Sequence, residues 1–410
     1  MEEFIGNAVV GQSGGPTAAI NATLSGVIRG VFENGDKIKT LYGMKNGIEG
    51  FVKEDLLDLS SFFDREEKLL SLEETPSSAL GSCRLKLPDY AENAEVYEKI
   101  FSIIEKYNIR YFFYVGGNDS MDTVLKLDKY ARKIGYGIKV IGIPKTIDND
   151  LMITDHTPGY GSAAKFVATS VKEIARDCSV YTLKAVTVVE IMGRDSGWLT
   201  AAAALPLALT GEGADFVYLP ERTFESEKFI KALKNRLDVC PHVVVAVSEG
   251  IKYANGRYVA EGLYKESADA FGHKILAGAA RSLENLIKKE IGCKVRAVEL
   301  NLPQRCSAHL ASLTDINESI EIGKGAVCYS VTGNSGMMMT FKRNDGEYSV
   351  SIVPKDVREI ANKVKFVPDN FINENGDGVT DACIEYIKPL INGERQIKYE
   401  NGLPVHLIIK

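Results

Sequence analysis

The sequence predicts an α/β protein of two doubly wound lobes with mostly parallel sheets. Short β-branched runs alternate with longer helical patterns, the rhythm of parallel strands covered by helices on both faces. At 410 residues the chain is too long for one simple core and divides into lobes. Several of the β-branched runs end in glycine-rich or polar loops, and open α/β sheets bind ligands at the carboxyl ends of their strands.

Taken in order, Ala8-Val9-Val10 is a strand that leads through a glycine-rich loop into a helix over 18–32. Residues 111–115 form a strand ending at Gly116-Gly117, followed by a helix over 124–134 and a strand over 139–143. A helix over 163–176 and a strand over 185–190 come next. An alanine-rich helical piece over 199–205 runs into Pro206, and 242–247 is again a strand. From about Ser319 onward the pattern weakens, with a further strand over 349–353. Asn373, Asn375, Asp377 and Gly378 alternate like the first half of an EF-hand loop. Its first position is an amide and its twelfth is Ile384, where a bidentate glutamate is needed, so this stretch reads as a surface loop.

Composition narrows the function classes. Hydrophobic residues make up 45% and charged residues 25%, ordinary for a soluble globular protein. The net charge of −6 offers nothing to nucleic acid or to an anionic membrane. No apolar run reaches the roughly 18 residues that cross a bilayer. The acidic start, Met1-Glu2-Glu3-Phe4, lacks a signal-peptide pattern. The seven cysteines are scattered, with no CxxC pair, so neither a zinc site nor a disulfide framework is expected and a reducing cytoplasm is.

The chemistry concentrates in loops. Pro144-Lys145-Thr146-Ile147-Asp148-Asn149-Asp150 gathers two carboxylates, an amide, a hydroxyl and an ammonium where a strand runs out. Two aspartates two residues apart, beside a lysine, suit a general base working near a bound anion. Gly11-Gln12-Ser13-Gly14-Gly15-Pro16-Thr17 joins a strand to a helix, where bare backbone N–H groups and a helix N-terminus favour an anion. It is neither a Walker A loop nor a dinucleotide fingerprint, and a merely tight turn is the alternative. Gly116-Gly117-Asn118-Asp119-Ser120 is a second loop of this type. Asn118 and Asp119 could hold Mg²⁺ through oxygens, or Asp119 or Ser120 could cap the helix. Met192-Gly193-Arg194-Asp195 puts an arginine at a strand end, suited to a phosphate or to an internal pair with Asp195. Ser248-Glu249-Gly250 follows a strand too, and its carboxylate suits sugar hydroxyls or a turn cap. Arg296, Gln304 and Arg305 add polar groups late in the chain, each arginine by itself reading as a surface salt-bridge partner.

In this order the motifs resemble the phosphofructokinase family, from about residue 5 to 310. The resemblance implies two α/β lobes with the active site between them. It assigns 1–160, completed by part of 306–370, to the phosphoryl donor, and 161–305, completed by part of 371–410, to the sugar phosphate. It implies Mg²⁺-dependent phosphoryl transfer to the 1-hydroxyl of fructose 6-phosphate, small-molecule substrates, no nucleic acid or membrane partner, and a homodimer or homotetramer. Two residues look like the diphosphate-dependent branch, which works close to equilibrium and so runs both ways. Lys145 is the extra lysine of that branch. Asp119 stands where ATP users carry glycine, and its charge would repel the α-phosphate of ATP.

The implied roles follow residue by residue. Asp148 is the base, with Lys145, Arg194 and Asp119 beside it in the catalytic set. Gly11, Arg84 and Gly117 bind diphosphate. Thr146, Ile147, Asp148, Met192, Gly193, Arg194, Glu249, Arg296, Gln304 and Arg305 contact the sugar phosphate, and Asn118 and Asp150 face the metal. There are departures. Asn118 replaces a metal-associated aspartate, and Ala185, next to Lys184, stands where the family has an arginine reaching a neighbouring subunit's site. Glu221 matches a region that serves effectors in some ATP-dependent members, and a structural carboxylate is the expectation here. An ATP-dependent enzyme and a catalytically silent sugar-phosphate-sensing subunit are the alternatives, and sedoheptulose 7-phosphate is a plausible second acceptor.

Overall fold

The computed structural model describes residues 4–180, 182–261 and 278–409, so residues 1–3 of the acidic start lie outside it. Eleven strands build its two main sheets: β1 (Gly6–Gln12), β2 (Ile38–Met44), β3 (Leu56–Asp58), β4 (Ile109–Gly116), β5 (Lys139–Pro144), β6 (Ala185–Ile191), β7 (Phe216–Tyr218), β8 (His242–Ser248), β9 (Lys294–Glu299), β10 (Met337–Arg343) and β11 (Val350–Asp356). The larger sheet has the order β11-β10-β5-β4-β1-β2-β3, and the smaller β7-β8-β6-β9. All pairings are parallel except β2–β3 and β10–β11 at the margins of the larger sheet.

Each sheet is a filled sandwich, which is why its strands are apolar on both faces. In β4, Phe112 and Tyr114 face one core while Tyr111, Phe113 and Val115 face the other. In β8, Val243, Val245 and Val247 face one side, and Val244 and Ala246 the opposite side. The helix Asp381–Ile387 buries Cys383, Ile384 and Ile387 in the core of the smaller sheet. The chain end turns back, packing Leu407 and Ile409 against the larger sheet and pairing Arg395 with buried Glu73.

Helix bounds depart from the sequence pattern in informative places. The helix expected at 124 begins at Asn118, directly after the Gly116-Gly117 loop. The alanine-rich piece is Trp198–Ala201, a 3₁₀ turn Ala202–Ala204 and a helix Leu205–Thr210. Pro206 opens that last helix instead of ending one, since a first-turn N–H has no partner to lose. The weakly patterned region holds a 20-residue helix, Leu313–Thr332, packed on the helix Ile20–Glu33. Their backbones nearly touch: a β-carbon on Gly26 would lie 2.0 Å from the Ile320 carbonyl oxygen, and one on Gly323 2.2 Å from that of Thr23. At the start of the long helix, Asp315 accepts from Gly159 N–H (2.8 Å) and Ser162 N–H (2.9 Å), capping the helix Tyr160–Ser179.

Candidate active site

The parallel strands deliver their loops to one place. β1, β4 and β5 are neighbours, and their carboxyl ends give the loops at 13–17, 117–119 and 145–150. β6, β8 and β9 are neighbours in the smaller sheet and give Met192–Asp195, Glu249–Gly250 and Asn301–Arg305.

Lys145 is the centre of the arrangement. It is 2% exposed, and its ammonium donates to the Gly15 carbonyl at 2.5 Å. A β-carbon on Gly14 would sit 3.4 Å from that ammonium, so the glycine loop and the lysine are in contact. Burial lowers its pKa to about 8, with Arg305 and Arg84 pushing the same way and Asp148 and Asp150 opposing. Arg305 reaches over from the other lobe: its Nη1 lies 3.2 Å from where a β-carbon on Gly15 would be. Withdrawal from water and the charge of Arg84 lower the Arg305 pKa.

Asp148 lies beside Lys145. Desolvation first, then Asp150, raises its pKa to about 7 against the pull of Arg194 and Lys145. Asp150 is raised also, again by desolvation first. No hydrogen bond among the described residues reaches the Asp148 carboxylate, whose own N–H donates to Thr146 Oγ1 at 3.1 Å. Asn149 between the two acids holds φ at +53°, the left-handed region, so the acids splay around a kink.

On the facing lobe, Arg194 donates to Asp195 at 2.8 Å, so the internal pair and the contact with Asp148's field coexist. Glu249 accepts from Gly193 N–H at 3.3 Å, and desolvation raises its pKa to about 8. Gly193 has φ of +133°, and a β-carbon there would meet the Ser196 carbonyl oxygen at 2.6 Å, so only glycine makes this turn.

Some residues sit elsewhere than the motifs imply. Ile147 points down into the core with Tyr160 and Val189, leaving only its backbone at the loop. Gln304 is 2% exposed and its amide is already used, accepting from Met192 N–H at 3.2 Å and donating to the Asn301 carbonyl at 3.0 Å. Gly11 is crowded by Met44 and Tyr114, 2.7 and 2.9 Å from a built β-carbon, so packing demands glycine there. Arg296 pairs in register with Thr187, four residues before the end of β6, and donates to Asp177 at 3.3 Å. At roughly 3.3 Å per residue this is about 13 Å short of the loops. Ala185, still nearer the strand start, is in register with Lys294. Glu221 is structural, accepting from Gly197 N–H (2.8 Å) and Val367 N–H (2.9 Å). In the 373–378 stretch Asn373 and Asp377 hydrogen-bond each other, as a self-contained turn does.

The loops carry a feature for a cation as well. Asn118 Oδ1 is buried without a hydrogen-bond partner among the described residues. Such an atom is costly unless something meets it. Asp119 beside it lies 3.5 Å from Lys86. Among the described residues there is no group of three or more His, Cys, Asp or Glu side chains that could hold a metal alone. A cavity of about 510 Å³ opens at the opposite end of the larger sheet, but its arginines, Arg132 and Arg358, are each bound to an aspartate.

Missing from the motif reading was Lys365. Its ammonium donates to Asn149 Oδ1 and to the carbonyls of Thr154 and Asp155, at 3.2, 3.2 and 2.8 Å. No local pattern marks it, because its partners lie more than 200 positions back in the chain.

The model of the phosphofructokinase family matches residues 7–327. A pyrophosphate–fructose 6-phosphate 1-phosphotransferase of Halomonas elongata is 40% identical over 97% of this chain and 94% of its own length. One of Methylococcus capsulatus is 40% identical over 98% and 96%. The crystal structure of a pyrophosphate-dependent phosphofructokinase from Nitrosospira multiformis superposes with a TM-score of 0.89 at 36% identity, covering 98% of this chain and 96% of that one. The chain belongs to the phosphofructokinase family.

Proposed function

We propose that this chain is a diphosphate-dependent 6-phosphofructokinase. It moves a phosphoryl group reversibly between diphosphate and the 1-hydroxyl of fructose 6-phosphate, giving fructose 1,6-bisphosphate and phosphate. The observation that carries the reading is the buried Lys145 ammonium, inserted at the Gly14-Gly15 loop and electrostatically coupled to Asp148. The close relatives' names agree with it.

In this reading the loop at 11–17, Gly117 and Arg84 cradle diphosphate. Asp148 accepts the proton of the sugar hydroxyl as that oxygen attacks phosphorus. The new O–P bond forms as the bridging P–O bond breaks, and the departing phosphate takes the electron pair. Lys145 meets the charge on that phosphate, and Arg194 meets the charge on the transferring group. Arg305 and the backbone of Thr146, Ile147, Met192 and Gly193 receive the sugar phosphate. Glu249 takes a sugar hydroxyl, and Gln304 acts through Met192. Asn118 Oδ1 and Asp150 would hold Mg²⁺, which would neutralise charge on the diphosphate oxygens when bound. Asp119 excludes ATP: its neighbour Lys86 is 54% exposed and screens that charge only weakly.

Arg296 fits the sugar phosphate only across a subunit contact, since it stands near the far end of its own strand. This favours a homo-oligomer, and β9 is the last strand of its sheet among the described residues. The test is a matrix of donors and acceptors: diphosphate and ATP against fructose 6-phosphate and sedoheptulose 7-phosphate, with Mg²⁺. Diphosphate with fructose 6-phosphate should give the highest kcat/KM. Better use of ATP overturns the donor assignment, and no turnover at all favours the silent subunit.

A further inference from the structure

We propose that Lys365 is a positioning residue for phosphoryl transfer, tying the loop of the base to the loop of the arginine so that the two lobes present them in one fixed geometry. The inference rests on the phosphotransferase reading above.

Lys365 lies on the segment between the 3₁₀ turn Val357–Glu359 and Val367, outside every motif at the strand ends. Toward the larger sheet it holds the loop of the acids at several atoms. Its N–H donates to the Asp150 carbonyl at 2.8 Å. Its ammonium spends its three protons on Asn149 Oδ1 and on the Thr154 and Asp155 carbonyls. Asn149 is held from its other side as well, donating through Nδ2 to Tyr386 Oη at 2.9 Å. The left-handed kink between Asp148 and Asp150 is thereby clamped at both ends of one amide.

Toward the smaller sheet the same residue holds the turn that follows Arg194. Its carbonyl accepts from Trp198 Nε1 at 2.9 Å and from Ser196 Oγ at 3.4 Å. The Trp198 ring lies 5.0 Å from the ammonium, within cation–π range. Two residues on, Val367 N–H shares the Glu221 carboxylate with Gly197 N–H. One short segment therefore bonds to residues 149–155 and to residues 196–198, which flank Asp148 and Arg194. An enzyme that works by holding reactants in line loses rate when such an alignment loosens, even with every substrate contact retained.

The test is K365M, which keeps most of the length and loses the donors, beside K365R, which keeps charge and donors. Steady-state kinetics in both directions are read with circular dichroism and a thermal melt. For K365M kcat should fall about 10- to 100-fold, with KM for either substrate within about threefold of wild type. K365R should recover kcat to within about fivefold of wild type. A folded K365M with kcat within about threefold of wild type overturns the proposal. So does a KM rise at unchanged kcat, which would mark a substrate ligand, or an equal loss in K365R. Should K365M fail to fold, W198F removes the indole donor and keeps an aromatic ring at this core position: a three- to tenfold lower kcat at unchanged KM supports the tie, and an unchanged kcat overturns it. The ratios are taken with whichever donor wild type prefers, so a wrong donor assignment shows in wild type alone and leaves this test standing.

Discussion

Asp315 is buried and Asp148 half-buried, and desolvation pushes both toward the protonated form. They differ in what faces the carboxylate. Asp315 is met by Gly159 N–H, Ser162 N–H and the Ser162 hydroxyl, which donates at 2.5 Å. Asp148 is met by no hydrogen-bond donor among the described residues and is balanced instead by the more distant charges of Arg194 and Lys145. Glu190 belongs with Asp315, since it accepts from Gly278 and Ala280 N–H where the helix Ala279–Glu290 begins. A carboxylate whose lone pairs are occupied is an architectural part. One whose lone pairs are open, beside cations, fits the base proposed above.

The sharpest way to break this comparison is D148N. Its kcat should drop by about 10²–10⁴, the usual scale for removing a general base. Because the native state binds this proton more tightly than the unfolded chain, Asp148 weakens the fold as pH rises from the ordinary carboxylate range through about 7. D148N removes that loss, so its thermal midpoint at pH 8 should equal or exceed that of wild type. A folded variant keeping a tenth of wild-type turnover would show that the proton goes elsewhere.

D315A is the mirror experiment. It strands three donors at the start of the helix Tyr160–Ser179 and should cost roughly 2–4 kcal/mol in urea unfolding. Turnover per folded molecule should stay within a few-fold of wild type. A loss of kcat without a loss of stability would erase the distinction between the two acids.

A smaller effect is expected from pH. Asp148 must be unprotonated to act as base, so kcat/KM should fall about tenfold per unit as pH drops below about 7. Lys145 must keep its proton to meet the leaving phosphate, and burial lowers Lys365 too, to about 7, so the rate should fall again as pH rises through about 7 to 8. The result is a narrow bell, and the acid limb should vanish in the residual activity of D148N. The smallest change is D119G. The ratio of ATP to diphosphate kcat/KM should rise several-fold, and a constant ratio would remove Asp119 from donor choice.

The loops were legible in the sequence because strands end sharply and chemistry collects where they end. Tyr111 to Val115 and Ala185 to Glu190 needed only their β-branched and aromatic runs to be recognised. The helix Leu313–Thr332 was hidden for a physical reason. Its buried positions do fall at helical spacing, but they include Asp315, Ser319, Gly323, Ala326 and Ser330, small or polar residues that carry little hydrophobic signal. Gln304 and Ile147 lie in site motifs, yet their side chains support the loops from behind, which motif order cannot distinguish from substrate contact. Lys365 was invisible because its meaning comes from partners that only the fold brings near.

The glycine seam between the helices Ile20–Glu33 and Leu313–Thr332 has a mechanical consequence. A 20-residue helix is about 30 Å long, and Asp315 lies about 12 Å along it from Gly323. A β-carbon wedged into the seam would act as a fulcrum. A tilt of roughly 10° there carries the Asp315 end, and with it the start of the helix Tyr160–Ser179, by about 2 Å. Catalysis that depends on ångström alignment is thus exposed to a methyl group placed where no substrate ever goes.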